Sequence, residues 1–140
     1  MAKYDRSFLK IAEVLSENSY AERKKVGAIV VKDGNIISMG WNGTPSGFDN
    51  DCEYDDYQNG LPILVTKPEV LHAELNALMK LAKSTNSSDG ATMYITCSPC
   101  YDCSKLLIQS GIIRIVYSEK YRDPSGIELL KKAGVEVEKH

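Results

Sequence analysis

The sequence holds no apolar run near the roughly 20 residues that a membrane-spanning helix needs, and no repeat or low-complexity tract. It has no excess of basic charge either: the formal net charge is -2, which disfavours a nucleic-acid partner while leaving room for a local basic pocket. The opening stretch "MAKYDRSFLKIAEVLSEN" carries acidic residues and lacks a signal-peptide apolar core. The expected location is therefore the cytoplasm. Histidine is scarce, at two residues, and cysteine numbers only four. In a reducing compartment closely spaced cysteines bind metal or do redox work more often than they form structural disulfides. What remains is ordinary: 140 residues with 43% hydrophobic side chains are enough for one core, so residues 1–140 read as a single domain.

Helical spacing of Tyr4, Phe8, Ile11, Ala12 and Leu15 predicts an amphipathic first helix ending near Asn18. The basic run "ERKK" follows. "VGAIVV" and "IISMGW" flank "KDGN", whose Asp33-Gly34 pair predicts a tight hairpin turn. From Asn42 to about Lys67 no periodicity is evident, and the segment reads as an unusually long loop. Pro68 suits the first turn of a helix with Leu71, Leu75, Leu78, Met79 and Ala82 as its apolar stripe. "ATMYIT" reads as a strand and "SPCYDCSKLLIQSG" as a helix capped by Ser98, with Pro99 at its first position and Gly111 past its end. "IIRIVY", "DPSGIELLKKAG" and "VEVE" complete the chain as strand, helix and strand. This order implies an α/β fold with a partly parallel sheet covered on both faces.

Chemistry concentrates in two short stretches. "PCYDC" places Cys100 and Cys103 at the start of a helix, where free backbone N–H groups and the helix dipole favour thiolate. "HAE" places His72 and Glu74 at the start of another. Two thiolates and one neutral imidazole balance a Zn²⁺ ion and leave a fourth tetrahedral position open to water, the arrangement of a catalytic centre. Glu74, two residues from His72, is poorly directed to be a ligand and well placed to carry protons. Water activated beside such a carboxylate suits hydrolysis at a ring carbon bearing an amine. A rival reading gathers Cys52, Cys97, Cys100 and Cys103 into a Cys₄ structural zinc or iron–sulfur site, leaving "HAE" unused. Cys97, at a strand end, is read as a packed thiol.

The H-x-E…P-C-x-x-C pattern is that of zinc-dependent nucleobase deaminases. With "VGAIVVKDGNIISMGWNGTPSG", "LHAELNAL", "LLIQSGIIRIVYSEKYRD" and "LLKKAGVEV", nearly the whole chain resembles the deoxycytidylate (dCMP) deaminases, including the bacteriophage forms. The resemblance implies a three-layer α/β/α, cytidine-deaminase-like fold with a five-stranded mixed sheet. It implies Zn²⁺ on His72, Cys100 and Cys103, with Glu74 as proton shuttle in the conversion of dCMP to dUMP and ammonia, which supplies thymidylate synthesis. Ala73 is implied in holding the pyrimidine through its backbone N–H, Asn42 in binding the sugar and Tyr121 in lining the substrate site. Among Arg23, Lys24 and Lys25, Arg23 is the first choice for the 5′-phosphate, because its planar fork suits bidentate binding. In relatives the "GWNGTPSGFDND" loop helps to form a regulatory site of a homohexamer activated by dCTP and inhibited by dTTP. Gly43, Gly47, Asp49 and Asp51 are thus candidates for contacts with an effector or its Mg²⁺. A deaminase of another cytosine nucleoside or base is the alternative within the same chemistry. The residues before the active-site helix offer Cys52 and no histidine, so the second, structural zinc of many relatives is not expected.

Overall fold

In the computed structural model, which describes residues 2–140, a mixed sheet is sandwiched between one helix and three. Helix α1 (Asp5–Ser16) precedes the hairpin of β1 (Gly27–Lys32) and β2 (Asn35–Trp41). A second hairpin, β3 (Glu53–Gln58) and β4 (Leu61–Thr66), leads to α2 (Ala73–Ala82). The chain then alternates: β5 (Thr92–Cys97), α3 (Tyr101–Gln109), β6 (Arg114–Glu119), α4 (Ser125–Lys132) and β7 (Glu136–Lys139). The main sheet has the order β2-β1-β5-β6-β7, antiparallel as far as β5 and parallel from β5 to β7. This is the α/β/α fold with a five-stranded mixed sheet that the sequence led us to expect. No helix is long and apolar enough to cross a membrane among the described residues.

Strand β1 explains the layering, because side chains alternate between faces. Ala28 and Val30 enter one core with Met93, Ile95 and Ile115 of the neighbouring strands and Ala77, Leu78, Leu107, Ile127 and Leu130 of α2, α3 and α4. Ile29 and Val31 enter the other with Tyr94, Val116 and Leu9 of α1. Burying each such aliphatic side chain contributes about 1.5–3 kcal/mol. Asp33 and Gly34 both have positive φ, as a two-residue turn of the predicted kind requires.

Several boundaries differ from expectation. On α1 the buried positions are Asp5, Leu9 and Ala12, while Tyr4 and Ile11 face solvent. The region read as a long loop contains β3 and β4, joined at Asn59-Gly60 with φ of 54° and 77°. Helix α2 begins at Ala73 rather than near Pro68, because Leu71 is in an extended bridge with Gly43. Its buried stripe is therefore Ala73, Ala77, Leu78 and Leu81, with Met79 and Ala82 outside it. Helix α3 is capped by Cys100, not Ser98. Ser98 Oγ instead accepts a hydrogen bond from the Tyr121 N–H, 2.7 Å away.

Two close approaches bring the helix starts against the sheet and each other. A Cβ on Gly40 of β2 would lie 2.6 Å from the Ala73 carbonyl oxygen. One on Gly126 of α4 would lie 2.4 Å from the carbonyl oxygen of Pro99. On the far face the fully buried Asp5 holds α1 to β5 and β6. Its Oδ1 accepts from Tyr94 Oη at 2.6 Å and Arg114 Nη1 at 2.8 Å, and its Oδ2 from Arg114 Nη2 at 2.6 Å. These bonds, Arg114's foremost, hold the Asp5 carboxyl well below the usual carboxylate range against the opposing effect of burial.

Two stability predictions follow from this packing. Gly126→Ala overpacks the α3–α4 contact and should cost about 1–3 kcal/mol in urea unfolding. Because the folded pKa of Asp5 is depressed, its contribution is complete above the unfolded value of about 3.9 and is lost as pH falls through the folded one. Thermal melts of the wild type should therefore lose stability below about pH 4, and Asp5→Asn should flatten that fall.

Candidate active site

The two motif-bearing helices start at the same end of the sheet. Leu71 exchanges backbone hydrogen bonds with Gly43, at 2.8 and 3.1 Å, and Asn76 Nδ2 donates to the Trp41 carbonyl at 2.7 Å. These bonds fix the entry of α2, with His72 at its N-cap and Glu74 in its first turn. Cys100 caps α3 in place of the usual oxygen: its Sγ accepts from the Cys103 N–H at 3.5 Å. Ser104 Oγ donates to the Cys100 carbonyl at 2.8 Å and steadies the turn.

His72 Nδ1 lies 3.2 Å from Cys103 Sγ and 3.7 Å from Cys100 Sγ. The donor atoms of all three lie within 4.8 Å of one another. Tetrahedral zinc with His and Cys bonds near 2.0 and 2.3 Å needs donors about 3.5 Å apart, so this set fits the ion in both chemistry and spacing. Cys52 and Cys97 lie outside this group. Cys97 is buried, and burial pushes its thiol up. A second cluster, Asp5, Glu138 and His140, already surrounds the Arg114 guanidinium, whose Nη2 is 2.6 Å from Asp5 and 2.9 Å from Glu138.

The electrostatics divide the work. A hydrogen bond from Cys103 and another from His72 draw the Cys100 thiol down to about 4, against the effect of burial. Cys103 is raised, first by that bond and then by burial. His72 is raised, chiefly by its bond to Cys100. Glu74 is 3% exposed, and burial pushes its carboxyl up to about 7, with its own backbone N–H and His72 pulling the other way. A carboxyl balanced near neutrality can both accept and return a proton.

His72, Glu74 and Cys100 border a cavity of about 360 Å³, within the size range of small-molecule sites. Its wall includes His72, Ala73, Glu74 and Cys100, and also Asn42, Tyr121 and Arg23, so every expected substrate contact faces the same space. Asn42 is partly committed: Oδ1 accepts from the Val26 N–H at 2.9 Å and Nδ2 donates to the Lys24 carbonyl at 2.8 Å. Lys24 lines the cavity too, paired with Glu119 at 2.6 Å, whereas Lys25 does not line it. The sequence reading missed Arg122, Glu53 and Thr66, which also face it. Arg122 follows Tyr121 directly in "EKYRD" and was legible there; Glu53 and Thr66 sit on the unforeseen hairpin.

Of the effector candidates, Gly43 lines a separate cavity of about 130 Å³ and Asp51 one of about 180 Å³. Gly47 and Asp49 line neither. The Asp49 carboxylate accepts from the Asp51 N–H at 3.0 Å and pairs with Lys67 at 3.5 Å.

Residues 2–119 match the family described as the cytidine and deoxycytidylate deaminase zinc-binding region. The deoxycytidylate deaminase of Enterobacteria phage T4 is 38% identical over 92% of this chain and 86% of its own. That of Saccharomyces cerevisiae is 33% identical over 96% of this chain and 44% of its own. The crystal structure of dCMP deaminase from the cyanophage S-TIM5, in complex with dCMP and dUMP, superposes with a TM-score of 0.89 at 48% identity. It covers 100% of this chain and 98% of that one. With the His-Cys-Cys cluster, the buried glutamate and the sheet order all in place, the chain belongs to the cytidine and deoxycytidylate deaminase family.

Proposed function

We propose that the protein hydrolyses dCMP to dUMP and ammonia. The observation that carries this reading is the meeting, on one cavity, of His72 and Cys100, with Cys103 buried behind them in the same donor set, the buried Glu74, and the cations Arg23 and Arg122. Zinc held by His72, Cys100 and Cys103 would supply Lewis acidity that brings the ionisation of a water into the neutral range.

The chain's own residues do the rest. The Ala73 N–H, in the first turn of α2, is a fixed donor for the pyrimidine carbonyl oxygen. Glu74 takes a proton from the attacking water and passes it to ring N3 while the bond from oxygen to C4 forms. It then carries a proton to the departing amine as the bond between C4 and nitrogen breaks, so ammonia leaves and carbonyl C4 remains. Burial raises the proton affinity of the carboxyl toward neutrality, as both transfers need. Asn42 and Tyr121 face the space for the sugar, and Arg23 the space for the 5′-phosphate. At the cavity mouth a dianionic phosphate suits guanidinium groups, whose forked donors bind it bidentately.

The same reading places dUMP production in the cytoplasm in the service of thymidylate synthesis. It makes the enzyme a homohexamer switched by dCTP and dTTP, with Mg²⁺, near Gly43, Gly47, Asp49 and Asp51.

Purified protein loaded with zinc should release ammonia from dCMP, with dUMP as the product. Absence of turnover with and without dCTP would contradict the proposal. Glu74→Gln should keep one zinc per chain by atomic emission while kcat falls by about 10²- to 10⁴-fold. His72→Ala should lose zinc and Cys52→Ala should keep it; the reverse result would favour the Cys₄ alternative.

A further inference from the structure

Two consecutive backbone N–H groups, those of Glu22 and Arg23, converge on a single atom. Each donates to Oε2 of Glu53 at 3.0 Å. Successive N–H groups of this kind form a concavity that holds an anion. Here the anion is the carboxylate of the first residue of β3. Directly across the hairpin, Glu53 pairs with Thr66, and side chains so opposed project to the same face. Thr66 Oγ1 accepts from Arg23 Nη1 at 3.2 Å. One rung of the hairpin therefore grips Arg23 twice, at its backbone and at its guanidinium, and all three residues line the catalytic cavity.

The grip matters because Arg23 is otherwise exposed. A free arginine loses side-chain rotamer entropy when it is ordered on a ligand. The hairpin meets much of that cost in advance. It uses one of the five guanidinium N–H donors and leaves the others for a ligand. Lys24, the next cation, is already paired with Glu119. On the other side of the segment, Asn42 ties down the Lys24 carbonyl and the Val26 N–H. The two clamps fix the backbone on either side of Arg23, and Thr66 holds one nitrogen of its head. An uncompensated carboxylate at a phosphate subsite would repel its ligand, and the two N–H donors offset the charge of Glu53.

We propose that Glu53 is a positioning residue for substrate selection: by holding the backbone of Glu22 and Arg23, it presents the Arg23 guanidinium, alongside Arg122, to the phosphate monoester of the substrate. The β3–β4 hairpin thereby sets the preference for nucleotide over nucleoside. This rests on the dCMP reading above.

The test compares dCMP with deoxycytidine kinetics, and measures inorganic phosphate binding by calorimetry, in wild type, Glu53→Ala, Glu53→Gln and Thr66→Val. Glu53→Ala should raise KM for dCMP about tenfold with kcat within about twofold, and leave kcat/KM for deoxycytidine unchanged. Glu53→Gln, which keeps an acceptor oxygen, should restore most of the loss. Thr66→Val keeps a β-branched strand residue and should shift KM in the same direction by less, which guards against misfolding of the alanine variant. Equal losses on both substrates, a glutamine variant as impaired as alanine, or an unchanged dCMP KM in both Glu53→Ala and Thr66→Val would overturn the inference. Phosphate should bind wild type about tenfold more tightly than Glu53→Ala. Were that seen without dCMP turnover, the dCMP reading would fail and the role of Glu53 would stand; a wild type that binds no phosphate would overturn it.

Discussion

The 3.2 Å approach of His72 Nδ1 to Cys103 Sγ joins two helices that are far apart in the chain. Much of the surrounding structure serves that meeting. The Leu71–Gly43 bridge stops α2 from starting earlier, so that His72 falls at its N-cap. Gly40 lets the first turn of α2 lie against β2, and Gly126 lets α4 press on the loop that delivers Cys100. Parallel pairing of β5 with β6 then sets Cys97 beside Glu119, so that Ser98, Tyr121 and Arg122 reach the same cavity from that edge. A sheet edge at which crossover helices begin is where ligands bind in α/β folds, because free N–H groups and loop side chains gather there.

Within the cavity, charge is graded. Around His72, Cys100 and Cys103 the donor set favours a cation, and beside it Glu74 is buried, which pushes its carboxyl up. Arg23 and Arg122 are exposed cations on the same cavity, and Arg23 is braced by a hairpin that takes no part in the ring chemistry. On the proposed reading, bond making and ligand selection fall to different parts of the fold. The Asp5–Arg114–Tyr94 network lies apart from both and secures α1 to the opposite face.

The strongest signals in the sequence were local ones. Asp33-Gly34 announced the first hairpin, and "HAE" with "PCYDC" announced the donor set, because each depends on residues that are neighbours in the chain. Asn59-Gly60 carried the same turn signal for β3 and β4. It was obscured because β3 is polar and exposed, while β4, though apolar, shows no alternation and carries Pro62 within the run. The start of α2 was misplaced because Pro68 is only locally compatible with a helix, whereas the bridge that forbids it is made by Gly43, far back in the sequence. Asp5 on an apolar helix face could not be foreseen, since its partners Tyr94 and Arg114 are distant. Arg23 was legible as a cation; Glu53 and Thr66, which hold it, required the unpredicted hairpin.

The most direct test of the central claim is anomalous diffraction at the zinc edge from crystals grown with dUMP. It should reveal one ion within bonding distance of His72 Nδ1 and the sulfurs of Cys100 and Cys103, with the pyrimidine against Glu74 and the phosphate at Arg23. An ion held by Cys52 and Cys97, or a nucleotide whose base lies away from Glu74, would contradict it.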